Sequence, residues 1–107
     1  MSFWIRPARE EDLDEIVALN DLAFGGKAEG RMVRDLAKSG ESVLSLVASD
    51  DKAIAGHIQF FRMQLDGEPV AVGLGPMSVH PDFQKTGIGS GLIQMGADPE
   101  GQFPRQI

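Results

Sequence analysis

The chain has 107 residues, a formal net charge of −6 at pH 7, 42% hydrophobic residues and 24% charged residues, which is the size and composition of one ordinary globular domain. The acidic balance argues against a nucleic-acid-binding surface, because affinity for nucleic acid comes largely from cations that neutralise phosphates. The absence of cysteine excludes a disulfide, a thiolate metal site and a cysteine nucleophile.

The N-terminal segment predicts a short first strand. Residues 3–6 are strand-like and end at Pro7, and the aromatic Trp4 is expected in the core. This segment lacks the long apolar centre of a signal peptide, and no apolar run in the chain approaches membrane-spanning length. A cytoplasmic location without membrane contact is therefore expected.

Two helices are predicted next. Residues 10–24 carry apolar side chains with the i, i+3, i+4, i+7 spacing of a helix, begin with an acidic turn at 10–12 and end at Gly25-Gly26. Residues 28–38 repeat that spacing with a narrower apolar face and end at Ser39-Gly40. Both helices therefore have one face suited to packing on a sheet.

Three strands are predicted after the helices, at residues 43–49, 53–63 and 70–79, where β-branched and aliphatic residues are concentrated. The turn residues Asp50-Asp51-Lys52 and Asp66-Gly67 separate them, which indicates an antiparallel meander. The predicted order is therefore strand, two helices, three strands and a final helix.

A glycine-rich turn joins the last predicted strand to the last predicted helix. Glycines at 87, 89 and 91 permit positive φ and remove Cβ atoms, so that amides of residues 85–90 can converge on one anion. Lys85, Thr86 and Ser90 can add a charge and two hydroxyls. A pyrophosphate would suit this turn.

The spacing of the glycines argues against two common nucleotide-binding motifs. The dinucleotide pattern Gly-x-Gly-x-x-Gly is incomplete because position 92 is leucine, and the Gly-Lys-Ser/Thr end of a triphosphate-binding loop is missing. Residues 84–89, Gln-Lys-Thr-Gly-Ile-Gly, instead resemble the acetyl-CoA motif Gln/Arg-x-x-Gly-x-Gly/Ala of the GNAT superfamily of N-acetyltransferases. Residues 74–81 resemble the strand and loop that precede that motif in the family.

The resemblance covers residues 3–95 and implies an α/β fold of the acyl-CoA N-acyltransferase type, with a mostly antiparallel mixed sheet flanked by helices. It implies acetyl-CoA as cosubstrate and a bulge at Gly75-Pro76, with the Met77 amide as oxyanion donor. The implied coenzyme-binding residues are Met77, Ser78, Val79, Gln84, Lys85, Thr86, Gly87, Ile88, Gly89 and Ser90.

The implied reaction is acetyl transfer to a primary amine by direct attack, and the acceptor side is less defined. Glu29, near the start of the second helix, is a candidate base or amine anchor, although acids are common at helix starts. His57 could face the acceptor or lie hydrogen-bonded in the core, which is the simpler interpretation. His80 is expected to shape the loop, and two histidines so far apart predict no metal site.

The C-terminal segment departs from the family pattern. Family members continue with further strands and a fourth helix, whereas residues 97–107 contain two prolines and a glycine, so a domain at 1–96 and a divergent or disordered tail are expected. The tyrosine that many members use as an acid is also missing. A fourth strand left at the edge predicts a homodimer, and a non-catalytic coenzyme-binding or dimerisation module is the alternative function.

Overall fold

The computed structural model describes residues 3–39, 42–50, 52–65, 68–97 and 105–106. The strands are β1 Trp4–Pro7, β2 Ser42–Ser49, β3 Ile54–Leu65, β4 Glu68–Val79 and β5 Arg105–Gln106, and the helices are α1 Leu13–Phe24, α2 Ala28–Ser39 and α3 Ile88–Ala97. The predicted order is confirmed, with 3₁₀ turns added at Glu10–Asp12 and Pro81–Phe83. The predicted turn at Asp66-Gly67 lies outside the described residues. No helix in the described part is long and apolar enough to cross a bilayer.

The strands form one sheet in the order β4-β3-β2-β1-β5. Each described pairing is antiparallel, which confirms the meander of β2, β3 and β4. The pairing of Arg105–Gln106 with Trp4 and Ile5 was not indicated by the sequence pattern. Within the described residues, β4 therefore occupies one edge of the sheet and β5 the other.

Helices cover both faces of the sheet because side chains on a strand alternate between them. On β2, Leu46 and Ala48 belong to a core cluster with Ile88 and Leu92 of α3. Val47, between them, belongs to a second cluster with residues of α1 and α2, namely Ile16, Leu19 and Val33. The α/β fold with an antiparallel sheet between helices is therefore confirmed.

Trp4 corrects one expectation about the core. Its side chain is 44% exposed, whereas Phe3 is 6% exposed and Ile5 is fully buried. Phe3 and Ile5 both join the α3-side core cluster. Because strand residues alternate, Trp4 points to the other face and is not part of that core.

The last helix packs closely on β3. Ile88, Leu92 and Met95 recur at i, i+4 and i+7 and are buried against the sheet. Gly56 makes this approach possible, because an ideal Cβ there would lie 2.7 Å from Ile88 Cγ2. The position of α3 is therefore fixed relative to the end of β4.

A partly buried ion pair joins β1 to the turn before α1. Arg6 Nη1 and Nη2 donate to the two carboxylate oxygens of Asp12 at 2.7 and 3.2 Å, and the Arg9 amide donates to Asp12 at 2.7 Å. The hydrogen bond from Arg6 is the main reason that the pKa of Asp12 is lowered. The carboxylate form of Asp12 therefore stabilises the fold.

We expect Asp12→Asn to lower the free energy of unfolding at pH 7 by about 1–2 kcal/mol, because a partly buried arginine loses a charged partner. A lowered carboxyl pKa contributes stability above the unfolded value of about 3.9, and that contribution is lost as pH falls through the folded pKa. Urea unfolding at about pH 7 and pH 3 should therefore show the difference between wild type and variant shrinking in acid.

Asp14→Asn is the matched control. The Asp14 side chain is 92% exposed and meets Arg34 at 3.2 Å, so removing its charge should cost less than about 0.5 kcal/mol. Equal losses in the two variants would show that the Arg6–Asp12 pair has no special role.

Candidate functional site

A bulge interrupts β4 at the predicted position. Ile58 pairs with Met77 and Phe60 with Leu74, so that the single residue between them on β3, Gln59, lies opposite two residues on β4. Those two residues are Gly75 and Pro76, which confirms the predicted bulge. Backbone pairing resumes at Met77, in the three-residue segment that leads to the glycine turn.

The segment after the bulge presents its backbone at the free edge of the sheet. The Met77 and Val79 side chains are half-buried and pack against the α3-side core. The Ser78 side chain is buried, and its Oγ has no hydrogen-bond partner among the described residues. A molecule that binds along the edge of β4 would therefore contact mainly the backbone groups of these residues.

Side-chain hydrogen bonds hold the loop between β4 and α3 in shape. His80 Nδ1 accepts a hydrogen bond of 3.1 Å from the Asp82 amide, which confirms its predicted part in shaping the loop. Gln84 Nε2 donates to the Val79 carbonyl at 3.2 Å, and Thr86 Oγ1 donates to the carbonyl of Phe83. Gln84 and Thr86 thus hold the loop in shape from within.

Two residues with positive φ direct the chain into α3. They are Lys85, at φ 66°, and Gly87, at φ 92°. The first helical bond runs from the Gly91 amide to the Gly87 carbonyl at 2.9 Å, so that the amides of residues 88–90 have no partner within the helix. These amides and the positive end of the helix dipole form a site suited to an anion.

The start of α3 lies directly against the end of β4. An ideal Cβ on Gly89 would lie 3.7 Å from both Met77 Cε and Val79 Cγ2. The exposed Lys85 and Ser90 flank the same helix start, whereas the Ile88 side chain is buried in the core and leaves only its backbone available. The predicted coenzyme residues therefore lie next to one another, where the edge strand β4 leads to a helix start that is suited to an anion.

The predicted acceptor residue His57 lies fully buried on the face covered by α1. Asn20 Nδ2 donates to the Ile16 carbonyl at 2.9 Å and lies 3.4 Å from His57 Nδ1. Because Nδ2 can only donate, Nδ1 accepts and the ring proton belongs to Nε2, which is 2.9 Å from Ser45 Oγ. Desolvation lowers the pKa of His57 to about 4, so that the ring is neutral at pH 7.

The remaining acceptor candidate, Glu29, lies apart from this network. It occupies the first turn of α2 with a half-buried side chain, and no hydrogen bond joins it to His57 in the described part of the chain. Sequence patterns did not identify Asn20 and Ser45 as partners of His57, because residues 20, 45 and 57 meet only in the folded sheet. The described residues also bring together no group of three potential metal ligands.

Comparison with protein families gives one match that covers most of the chain. The family described as "Acetyltransferase (GNAT) domain" matches residues 4–98. The match includes strand β4 with its bulge, the loop between β4 and α3, and the start of α3. The residues that suggested the acetyl-CoA motif therefore lie within the region that matches this family.

Individual relatives agree with that match. The uncharacterized N-acetyltransferases YhbS and YjhQ of Escherichia coli K12 are 32% and 33% identical to this chain, each over 94 residues. The alignments cover 86% and 83% of this chain but 56% and 52% of those proteins. The chain therefore spans about half the length of the curated relatives it matches.

Two solved structures are similar in fold and sequence. A GNAT family acetyltransferase from Brucella melitensis, in complex with acetyl-CoA, has a TM-score of 0.84 and 37% identity over 88% of this chain and 65% of that one. YhbS from Escherichia coli, in complex with CoA, has a TM-score of 0.85 and 31% identity over 90% of this chain and 54% of that one.

Proposed function

Because the chain belongs to the GNAT acetyltransferase family, we propose that it binds acetyl-CoA as cosubstrate and transfers the acetyl group to a primary amine. The observation that carries this proposal is the free edge of β4, which leads past the bulge to the unpaired amides at the start of α3. The complexes of two structural relatives with acetyl-CoA and with CoA support the same cosubstrate.

The anion site would hold the pyrophosphate of the coenzyme. Amides of residues 86–90 supply hydrogen bonds, and the exposed Lys85 and Ser90 add a charge and a hydroxyl. Thr86 contributes through its amide, because its hydroxyl hydrogen is donated to Phe83. Gln84 keeps the loop in shape through Val79. Gly87 and Gly89 keep side chains out of this surface.

The strand after the bulge would bind the pantetheine arm and position the reacting carbonyl. Backbone groups of Met77 and Val79 face away from β3 and pair with the arm as a further strand would, whereas those of Ser78 face His57 on β3. Acetyl-CoA supplies an acetyl thioester, and the Met77 amide donates a hydrogen bond to its carbonyl oxygen as negative charge develops there. A neutral amine attacks that carbonyl directly, the carbon–sulfur bond breaks, and the proton lost by the amine nitrogen passes, directly or through water, to the departing coenzyme thiolate.

Glu29 and His57 remain candidates for the acceptor side. Glu29, at the start of α2, can anchor an ammonium group or accept a proton. His57 is buried with both ring nitrogens close to polar partners, and its low pKa makes it a weak base, so its geometry favours a structural role. The cytoplasmic location and the division at residue 96 also remain predictions.

The alternative function is a coenzyme-binding or dimerisation module without catalysis. The position of β4 at the edge of the sheet favours it, because a 12-residue edge strand can pair with a second chain. A homodimer through this edge would complete the sheet.

The test is thermal unfolding of this 107-residue chain with and without acetyl-CoA at two protein concentrations. Acetyl-CoA at about a hundred times its Kd should stabilise the fold by about 2.7 kcal/mol, or about 10–20 °C for a domain of this size. A shift would justify a screen of amine acceptors, and a Tm that rises with protein concentration would indicate a dimer. A cooperative melt without any shift would contradict coenzyme binding.

A further inference from the structure

A cavity of about 330 Å³ lies on the α1–α2 face of the sheet, apart from the proposed coenzyme site. Its lining residues come from the turn after β1, the start of α1, the middle and end of α2, and the middle of β2 and β3. None of its lining residues falls within 75–90, which contains the bulge, the loop and the anion site. Its volume is at the lower end of the ~300–1,000 Å³ range typical of small-molecule pockets.

The walls of the cavity are apolar and its floor is polar. Ala8, Leu13, Ile16, Val33 and Ala37 supply the walls. Ser45 on β2 and Gln59 on β3 supply the floor, and they lie directly opposite each other in the register of the two strands. Within the apolar part of the cavity, a ligand would therefore meet hydrogen-bonding side chains at the inner end.

The floor contains a buried polar atom that lacks a protein partner. Gln59 is 2% exposed, and its Oε1 makes no hydrogen bond within the described residues. An unsatisfied buried carbonyl costs about 1–3 kcal/mol, so a ligand N–H or O–H that reaches it removes a penalty already present in the free protein. Gln59 therefore favours a ligand that carries a donor at its inner end.

The mouth of the cavity carries more positive than negative charge. Arg9, Lys38 and Glu10 line it, and their side chains are exposed. Arg9 meets Glu11 only at 3.7 Å, with both side chains largely exposed. In a chain of net charge −6, this mouth with two cations and one anion favours an anionic group on the ligand.

We propose that this cavity is a second binding site, for a small aromatic carboxylate whose ring carries an N–H or O–H donor. The ring lies between α1 and α2, the donor reaches Gln59, and the carboxylate stays at the mouth near Arg9 and Lys38. This site shares no lining residue with the coenzyme surface, and Gln59 lies opposite the bulge of β4, so binding is measured first without acetyl-CoA.

The test is an NMR titration of the ¹⁵N-labelled chain, without acetyl-CoA, with indole-3-acetate as the probe. We expect saturable shifts at the amides of Ala37 and Gln59 with a Kd of about 1 mM or tighter. 1-Naphthaleneacetate keeps the shape and charge but lacks the N–H, so it should bind about tenfold more weakly. Tryptamine reverses the charge and should also bind about tenfold more weakly.

Variants separate this site from non-specific binding. Ala37→Trp fills the mouth from an exposed helix position and should abolish binding, whereas Ala18→Trp, at an exposed position of α1 away from the cavity, should leave it unchanged. Gln59→Met keeps the volume without the polar group and should make indole-3-acetate and 1-naphthaleneacetate bind equally.

Three outcomes would overturn the proposal. They are no saturation by indole-3-acetate at about 10 mM in a folded chain, undiminished binding by Ala37→Trp, and tighter binding of tryptamine than of indole-3-acetate. The last outcome would assign the cavity to cationic ligands. None of these outcomes bears on acetyl-CoA binding, which the thermal unfolding experiment tests separately.

Discussion

Replacing Gly89 with leucine should lower the affinity for acetyl-CoA at least about 100-fold, or about 2.7 kcal/mol, while the chain stays folded. The first added atom fits, because an ideal Cβ lies 3.7 Å from Met77 Cε and from Val79 Cγ2. The remaining atoms of leucine crowd the junction where the edge of β4 meets the amides of α3. Leucine is also the better helix former, so the substitution itself does not weaken α3.

Calorimetric titration with acetyl-CoA measures the change in affinity. Two variants of increasing side-chain size at Gly89 test whether the loss comes from the added atoms. Gly89→Ala should cause a smaller loss than Gly89→Leu, because it adds only the atom that fits. Gly26→Leu is the control, since no atom lies within 4 Å of an ideal Cβ there and Gly26 is outside the proposed coenzyme site. Full affinity in a folded Gly89→Leu variant would remove the anion-site assignment.

Lowering the pH from about 7 to about 4.5 should reduce the free energy of unfolding through His57 by about 2–3 kcal/mol. Burial lowers the pKa of His57 from 6.5 to about 4. Between these values the unfolded chain binds a proton that the folded chain does not, so stability is complete above pH 6.5 and is lost as pH falls towards 4. Burial disfavours the charged ring and so keeps it mainly neutral in the folded chain over this range.

Urea unfolding of wild type and His57→Gln across this pH range isolates the contribution. Glutamine does not titrate, so the variant should lose much less stability in acid than wild type, whatever its stability at pH 7. If the free energies of unfolding of wild type and His57→Gln fell in parallel with pH, His57 would not be the source of the acid destabilisation.

Local signals in the sequence predicted most of the elements. Helical spacing gave α1 and α2, and α1 ends at Gly25 with φ 74°. Asp50 marked a turn in which its carboxylate accepts hydrogen bonds of 2.8 Å from the Lys52 and Ala53 amides. Gly75-Pro76 marked the bulge. Each of these features depends on residues close together in sequence, which is why the pattern was sufficient.

Features that depend on distant contacts were missed. The side of β1 that faces the core depends on the sheet around it, so Trp4 was placed wrongly. The short strand β5 depends on pairing with β1 and carries no pattern of its own. The partners of His57 and the cavity beside Gln59 also depend on residues that are far apart in sequence. The proposed coenzyme surface consists of residues close together in sequence, so a motif could indicate it.

The edge of β4 links self-association to coenzyme binding through mass action. An edge strand has a single row of unpaired backbone groups, so it can accept one partner at a time. The pantetheine arm and a second copy of the chain, if both pair along residues 77–79, are therefore mutually exclusive occupants. Self-association would then compete with coenzyme binding, and dilution would favour the coenzyme-bound form.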